Sequence, residues 1–444
     1  LYRPHPFTQP PRYTKKLPQR PTNTARVENF PTFCSRARRR LRVCADHKSR
    51  MLYLATLSIS LAIGGNRPAV VTRSAPMTMA APNAAPVYDG QYAAELRETA
   101  TKMTMKGKGL LACDESTGTV GTRLEANGME NTETNRMTWR NLLFTTKGIE
   151  KYISGAILFE ETLFQKDPNG KPFVDVLNGL NIVPGIKVDT GLIPLLGGGP
   201  GEKWCRGLDN LAERCAGYYE QGARFAKWRT ALQINVEEGC PTDLAIEVAA
   251  QDLARYARIC QENGLVPIVE PEILIDGTHD ITTTARVQER VLTTVYAKLQ
   301  DNGVLLEGSL LKPSMTVPGI ECADKSDPST IAKMTVQTLD RSLPPAMPGV
   351  TFLSGGISEE DSSIYLNEIN KLDRKGAFAL TFSYSRALQS SCIKIWGGKQ
   401  ENYKKAQDQL LARAQANSEA SQGKYTPGSQ PSIEESLFVK NYAY

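Results

Sequence analysis

Residues 308–315 read GSLLKPSM: a lysine closes an apolar run and a proline follows at once. An ammonium group at the end of what reads as a buried strand costs free energy unless a partner or a reaction requires it. The question is whether other runs end in the same way. From about residue 90 the chain alternates short apolar runs with long amphipathic segments, the pattern of a parallel α/β protein. The runs are GLLACDE (109–115), ISGAILFEET (153–162), GIKVDT (185–190), RFAKWRTAL (224–232), LVPIVEPEI (265–273), VLLEGSLLKP (304–313), GVTFLSGG (349–356) and AFALTFSYSR (377–386). Eight strand–helix units spread over about 300 residues predict a (β/α)8 TIM barrel, with a doubly wound sheet as the alternative.

Helix boundaries are marked as well. Thr242 and Asp243 open a helix that Gly264 ends, and a second, from 283, stops at Gly303, as capping chemistry predicts. In 207–222, Leu208, Leu211, Cys215 and Tyr218 recur at helical spacing and predict the face packed on the sheet. A last helix is expected over 399–420.

Most of the runs end in something polar. Asp114 ends the first, Lys187 and Asp189 the third, Lys227 and Arg229 the fourth, Glu270 and Glu272 the fifth, Lys312 the sixth, Ser354 the seventh and Arg386 the eighth. In a barrel all C-terminal strand ends share one face, where barrel enzymes build their sites. Residues two apart on a strand point the same way, so Lys227 with Arg229, and Glu270 with Glu272, project as pairs. Single charges of this kind can serve a buried ion-pair layer. So many inside an apolar sheet call for a reaction.

Placed near Lys227 and Arg229, Lys312 is expected to have its charged form disfavoured by like charge and partial desolvation. A neutral amine attacks ketones, giving a carbinolamine and then a Schiff base, an electron sink for breaking the adjacent carbon–carbon bond. Glu270 is placed to shuttle the protons of dehydration, and Asp114 is the candidate base for a β-hydroxyl. Ser354, Gly355 and Gly356 follow the seventh run just before a helix opened by Ser358, and Arg386 ends the eighth. That is where barrels commonly hold phosphate, through backbone N–H groups and a cation. Arg123, with Ser116 and Lys187, is a second cationic group for a phosphate at the far end of a substrate.

Other motifs fail. GGGPGEKW (197–204) lacks the spacing of a phosphate loop or a dinucleotide fingerprint and reads as a flexible loop. The chain has three histidines, His5, His47 and His279, and only the last lies in the folded part, where it reads as a loop residue. A histidine-rich zinc site is not supported, and no metal or cofactor is expected. Of nine cysteines, seven lie in the folded part (Cys113, Cys205, Cys215, Cys240, Cys260, Cys322, Cys392), none in a CxxC pair, so buried free thiols are predicted.

Charge is distributed unevenly. Residues 1–88 hold fifteen Lys/Arg against Glu28 and Asp46; that balance of +13 within a chain total of +6 leaves −7 for residues 89–444. The basic character belongs to a leader, and the folded part gives no case for nucleic-acid binding. Rich in Arg, Ser, Thr and Pro, 1–88 reads as a disordered targeting leader. MLYLATLSISLAIGG (51–65) is apolar but short for a bilayer span, so no stable membrane insertion is expected and a signal-peptide core fits better. With Met51 as a start, signal plus transit peptide would address the protein to a plastid stroma, and 1–50 would be upstream sequence or an incomplete end. At the other end, 423–444 is expected to be a flexible tail because GKYTPGSQPS (423–432) is Gly-, Ser- and Pro-rich. The barrel domain lies between, at 89–422.

ACDESTGT (112–119), GIKVDTG (185–191), FAKWR (225–229), PIVEPEIL (267–274), LLKP (310–313), TFLSGGISEE (351–360), LTFSYSRALQ (380–389) and the terminal Tyr444 resemble class I fructose-1,6-bisphosphate aldolases over essentially all of 89–444. With the leader, the resemblance is to plastid forms of the Calvin cycle. It implies a Schiff-base lysine at Lys312, acid–base residues at Asp114 and Glu270 with Lys227 beside them and Glu272 in support, and proton transfer by a mobile Tyr444. Phosphate contacts fall on Ser354, Gly355 and Arg386, and those near the other phosphate on Ser116, Arg123, Lys187 and Arg229. Phosphorylated sugars are the implied substrates, sedoheptulose 1,7-bisphosphate among them, and a homotetramer the implied assembly. One departure is Ser385, where many members have glycine or alanine before the phosphate arginine. A binding protein that uses the same barrel without catalysis, and another phosphosugar enzyme such as an isomerase or transaldolase, remain as alternatives.

Overall fold

The structure, a computed structural model, describes residues 85–440. Its centre is a closed barrel of eight parallel strands, here numbered in chain order: β1 Gly109–Cys113, β2 Ile153–Leu158, β3 Val183–Lys187, β4 Phe225–Leu232, β5 Val266–Ile273, β6 Leu310–Leu311, β7 Gly349–Phe352 and β8 Ala379–Tyr384. Each strand pairs with its neighbours in sequence and β1 closes on β8 through Leu110 opposite Ser383. This is the expected TIM barrel rather than a doubly wound sheet.

Period-two alternation decides what faces the lumen. Val350, Phe352, Leu380, Phe382 and Tyr384 pack outward on the surrounding helices, leaving Thr351, Thr381 and Ser383 on the other face. Lower in the lumen, Leu110, Ala112, Ile157, Phe225, Ile268 and Leu310 form an apolar floor. Glycine is required at 185, because a Cβ there would stand 2.2 Å from the Phe225 ring. The floor is sealed by the helix Ala93–Met103, whose Ala93, Leu96, Ala100 and Met103 join the same cluster. A helix ahead of the first strand was no part of the sequence pattern.

The predicted caps are present. Thr242 accepts from the amide of Ala245 at the start of Asp243–Glu262, and Ser358 from that of Asp361 at the start of Glu359–Lys371. Gly264 and Gly303 take positive φ of +77° and +62°. Leu211, Cys215 and Tyr218 are the buried face of Leu211–Glu220. All seven described cysteines are free and buried. Among the described residues no helix is long and apolar enough to cross a membrane.

Three expectations are corrected. Residues 85–88, assigned by composition to the leader, belong to the fold: the amides of Ala85 and Tyr88 donate to the carbonyls of Asp301 (3.1 Å) and Gly303 (2.8 Å), and Tyr88 is buried under Arg258. The rest of the expected leader lies outside the described residues. The glycine-rich 197–204 is the tip and return of a two-stranded antiparallel hairpin, Leu192–Pro194 with Lys203–Cys205, pinned by Glu202, which accepts from Thr242 and Gly199. The tail is anchored over much of its length. Two buried carboxylates at the start of Glu359–Lys371 hold it: Glu360 accepts from the Tyr425 hydroxyl, the Gly428 amide and Ser432, and Glu359 from the Ile433 amide. Composition describes how a segment behaves unattached and is silent about distant anchors.

Candidate active site

The lumen changes character one residue above the apolar floor. Continuing the inward parity of Phe225 along β4 brings Lys227 and Arg229, that of Ile268 along β5 brings Glu270 and Glu272, and Asp114 and Lys312 follow directly on β1 and β6. Lys227 is fully buried, as is Asp114, and Lys312 and Glu270 are each 2 % exposed. Charges so placed persist only when paired. The Lys227 ammonium lies 2.6 Å from Asp114 Oδ2 and 3.4 Å from Glu270 Oε2, while Lys312 Nζ lies 3.2 Å from Glu270 Oε1. One carboxylate therefore stands between the two lysines. Lys312 thus has Lys227 close by, as the strand order predicts, with Glu270 between them. Burial pushes the Asp114 carboxyl up, but Lys227, Lys312 and Lys187 outweigh it and hold the group down at about 2.

Around this cluster the rim is also paired. Lys187 Nζ lies 2.6 Å from Asp189 Oδ1, and Arg229 pairs with Glu272. Ser116 caps the helix Thr117–Glu125, accepting from the Thr119 amide. Ser354 follows β7 and is buried, and Gly355 and Gly356 turn the chain with φ of +57° and +97° toward the N-terminus of Glu359–Lys371. At Gly356 a Cβ would meet the Phe438 backbone at 3.0 Å, so glycine also makes room for the tail. Arg386 does not end a strand: β8 stops at Tyr384 and Arg386 is the first residue of the helix Arg386–Trp396, donating to the Leu437 carbonyl. Arg123 lines a cavity of about 380 Å³ together with Arg386, Lys394 and the tail residues Leu437 and Phe438. Tyr444 lies outside the described residues.

Several residues here escaped sequence reasoning. Glu115, fully buried beside Asp114 but of opposite strand parity, pairs with Arg123 and, at 2.7 Å, with Arg140. Two consecutive acids after an apolar strand are a usable signal for it, since only one can face the lumen. Burial raises the Glu115 carboxyl, and the two arginines more than reverse this. Nothing local marks Arg140 as its partner. His279 sits buried in the loop after β5, as expected of a loop residue, and burial lowers its pKa.

A buried amine touching a carboxylate, a second lysine bridging two carboxylates, and a glycine turn facing a cationic helix start can together form and hydrolyse an imine on a phosphorylated ketose. Comparison with known proteins gives the arrangement its lineage. The family model for glycolytic class I fructose-bisphosphate aldolases matches residues 95–444. The chain belongs to the class I fructose-bisphosphate aldolase family. Its activity is that of a carbon–carbon lyase. Fructose-bisphosphate aldolase 1 of Toxoplasma gondii is 56% identical over 80% of this chain and 97% of its own length. The cytoplasmic isozyme of Spinacia oleracea is 55% identical over 80% and 99%, and the chloroplastic aldolase of Oryza sativa subsp. japonica 52% identical over 81% and 91%. Among solved structures, a ternary co-crystal structure of the aldolase of Plasmodium falciparum with TRAP and a small-molecule inhibitor matches with a TM-score of 0.76 at 55% identity, covering 78% of this chain and 99% of that one.

Proposed function

We propose that Lys312 carries the Schiff base through which this aldolase reversibly splits fructose 1,6-bisphosphate into dihydroxyacetone phosphate and glyceraldehyde 3-phosphate. The observation that carries the reading is Glu270 between Lys312 and Lys227, one oxygen 3.2 Å from the first ammonium and the other 3.4 Å from the second. Lys312 first gives a proton to Glu270, 3.2 Å away, and as the neutral amine adds to the C2 carbonyl; Glu270 then returns that proton to the departing carbinolamine oxygen, releasing water and leaving an iminium. Asp114, ionised at any working pH, takes the C4 hydroxyl proton, and the C3–C4 electron pair moves into the iminium as an enamine while the aldehyde leaves. Lys227, 2.6 Å from Asp114, stabilises the carboxylate before transfer and passes charge between it and Glu270. Protonation at C3, assigned to Tyr444, and hydrolysis through Glu270 return the amine.

Phosphate binding is assigned to Ser354, Gly355 and Arg386 at one end and to Ser116, Lys187 and Arg229 at the other, with Glu272 holding Arg229. Arg123 joins the Arg386 group, as its shared cavity supports. Sedoheptulose 1,7-bisphosphate presents the same ketone and the same two phosphates and is a second substrate. The basic, acid-poor leader supports a plastid address and a role in the Calvin cycle beside glycolysis, and the assembly is a homotetramer. Borohydride reduction in the presence of dihydroxyacetone phosphate tests the chemistry: a mass adduct on the Lys312 peptide is expected, and a Lys312→Ala protein retaining full cleavage activity would overturn it.

A further inference from the structure

We infer that Ser385 is a positioning residue that fixes the Arg123 guanidinium beside Arg386, so that the two cations meet a substrate phosphate as a preset pair; this rests on the phosphate-binding role assigned above to Arg123. The Ser385 hydroxyl lies between the members of an ion pair, donating to Glu115 Oε1 and accepting from Arg123 Nη1 at 3.0 Å. The same Arg123 nitrogen also contacts the same Glu115 oxygen, which closes a three-membered ring of hydrogen bonds. Its base is rigid. Glu115 and Arg140 are buried, and Arg140 takes the second Glu115 oxygen at 2.7 Å. Arg123 keeps a side-chain exposure of 16% and reaches the cavity that Arg386 also lines.

Ser385 is thus linked to one cation through its hydroxyl and to the other through a peptide bond, since Arg386 is the next residue and the first of its helix. Its backbone, at φ −106°, does not demand glycine. A guanidinium held at two points loses less rotamer freedom when phosphate arrives than one held at a single carboxylate, so the hydroxyl acts on binding rather than on bond breaking. The loss of one such hydrogen bond corresponds to roughly a 3- to 10-fold change in an equilibrium constant.

The test is a double-mutant cycle on fructose 1,6-bisphosphate cleavage with Ser385→Ala, Arg123→Ala and the pair. Ser385→Ala is expected to raise KM about 3- to 10-fold with kcat within about twofold, Ser385→Thr to restore KM, and the Ser385→Ala effect to vanish when Arg123 is already alanine. A Ser385→Ala penalty that persists in the Arg123→Ala background, or falls on kcat, or is absent, overturns the inference while leaving the Arg123 assignment intact. An Arg123→Ala protein with unchanged KM overturns the assignment itself. Should Ser385→Ala fold poorly, Ser385→Gly, compatible with the backbone at this position, carries the same cycle.

Discussion

Lys227 and Lys312 share a single carboxylate, that of Glu270, with neither ammonium more than 3.4 Å from it. Glu270 thereby does two things that a cluster of cations alone could not. It offsets part of the cost of burying two positive charges, and it reaches the nitrogen bonded to the carbon from which water must be lost. A Glu270→Gln protein keeps shape and hydrogen bonding but loses the titrating group. Its kcat is expected to fall about 10²- to 10⁴-fold. Rapid-quench trapping is expected to show slowed imine formation, and a variant that forms the imine at the wild-type rate would assign the step elsewhere.

Asp114 offers a prediction about pH. Its folded value, about 2, lies below the ordinary range, the direction in which ionisation favours the folded state. The contribution is complete above the unfolded value of about 3.9 and is lost as pH falls through about 2. Asp114→Asn removes it, so the stability gap between wild type and variant, measured by urea unfolding, should narrow by roughly 1–3 kcal/mol from pH 5 to the lowest pH at which both fold. A gap independent of pH would mean that Lys227 does not hold the carboxylate ionised. Cleavage by Asp114→Asn should meanwhile be reduced at all pH values.

The tail anchors predict local rather than global effects. Glu360 accepts at 2.8–3.0 Å from Tyr425, Gly428 and Ser432. Glu360→Ala removes all these acceptors at once, each worth about 1 kcal/mol. Proteolytic cleavage within 423–440 is expected to accelerate about 10-fold or more while the barrel's unfolding midpoint moves by only a few degrees, because local opening draws on few contacts. Equal acceleration of cleavage in the barrel would show that the tail is part of the global unit.

Much of the barrel and its charged layer could be read from the sequence because both follow from parity. In an apolar strand of alternating faces that ends in Lys227 and Arg229, or in Glu270 and Glu272, the alternation alone dictates which side chains enter the lumen. What escaped depends on distant partners or on very short elements. The hairpin at 192–205 has strands of three residues around a glycine-rich tip, too short for periodicity to register. In β6 only Leu310 and Leu311 pair, because the earlier part of VLLEGSLLKP turns as a 3-10 segment at Leu306–Gly308. Glu359 and Glu360 look locally like ordinary acids in the first turn of a helix, and only the returning tail shows them to be anchors. Ser385 stands out in the sequence only as a departure from the family pattern, and its contacts appear when Glu115, just after β1, and Arg123, on the helix that follows, are brought to it.

Asp252, on the helix Asp243–Glu262, is a buried acid whose Oδ2 has no hydrogen-bond partner among the described residues, and it lies outside the site. Burial raises its carboxyl to about 6, with Arg255 only partly opposing. The sign is opposite to that of Asp114. A raised value means the folded state holds the proton more tightly, so the stability this gives is full below about 3.9 and is lost as pH rises through about 6. Above that the folded protein carries an under-compensated buried charge, which asparagine lacks at every pH. Asp252→Asn is therefore expected to be more stable than wild type at pH 8, by about 1–2 kcal/mol once partial solvation of the group is allowed for, and to match it near pH 4. Urea denaturation at the two pH values measures the difference. A variant less stable than wild type at pH 8 would show that the carboxylate is paired in solution, through assembly with other subunits or through ordered water.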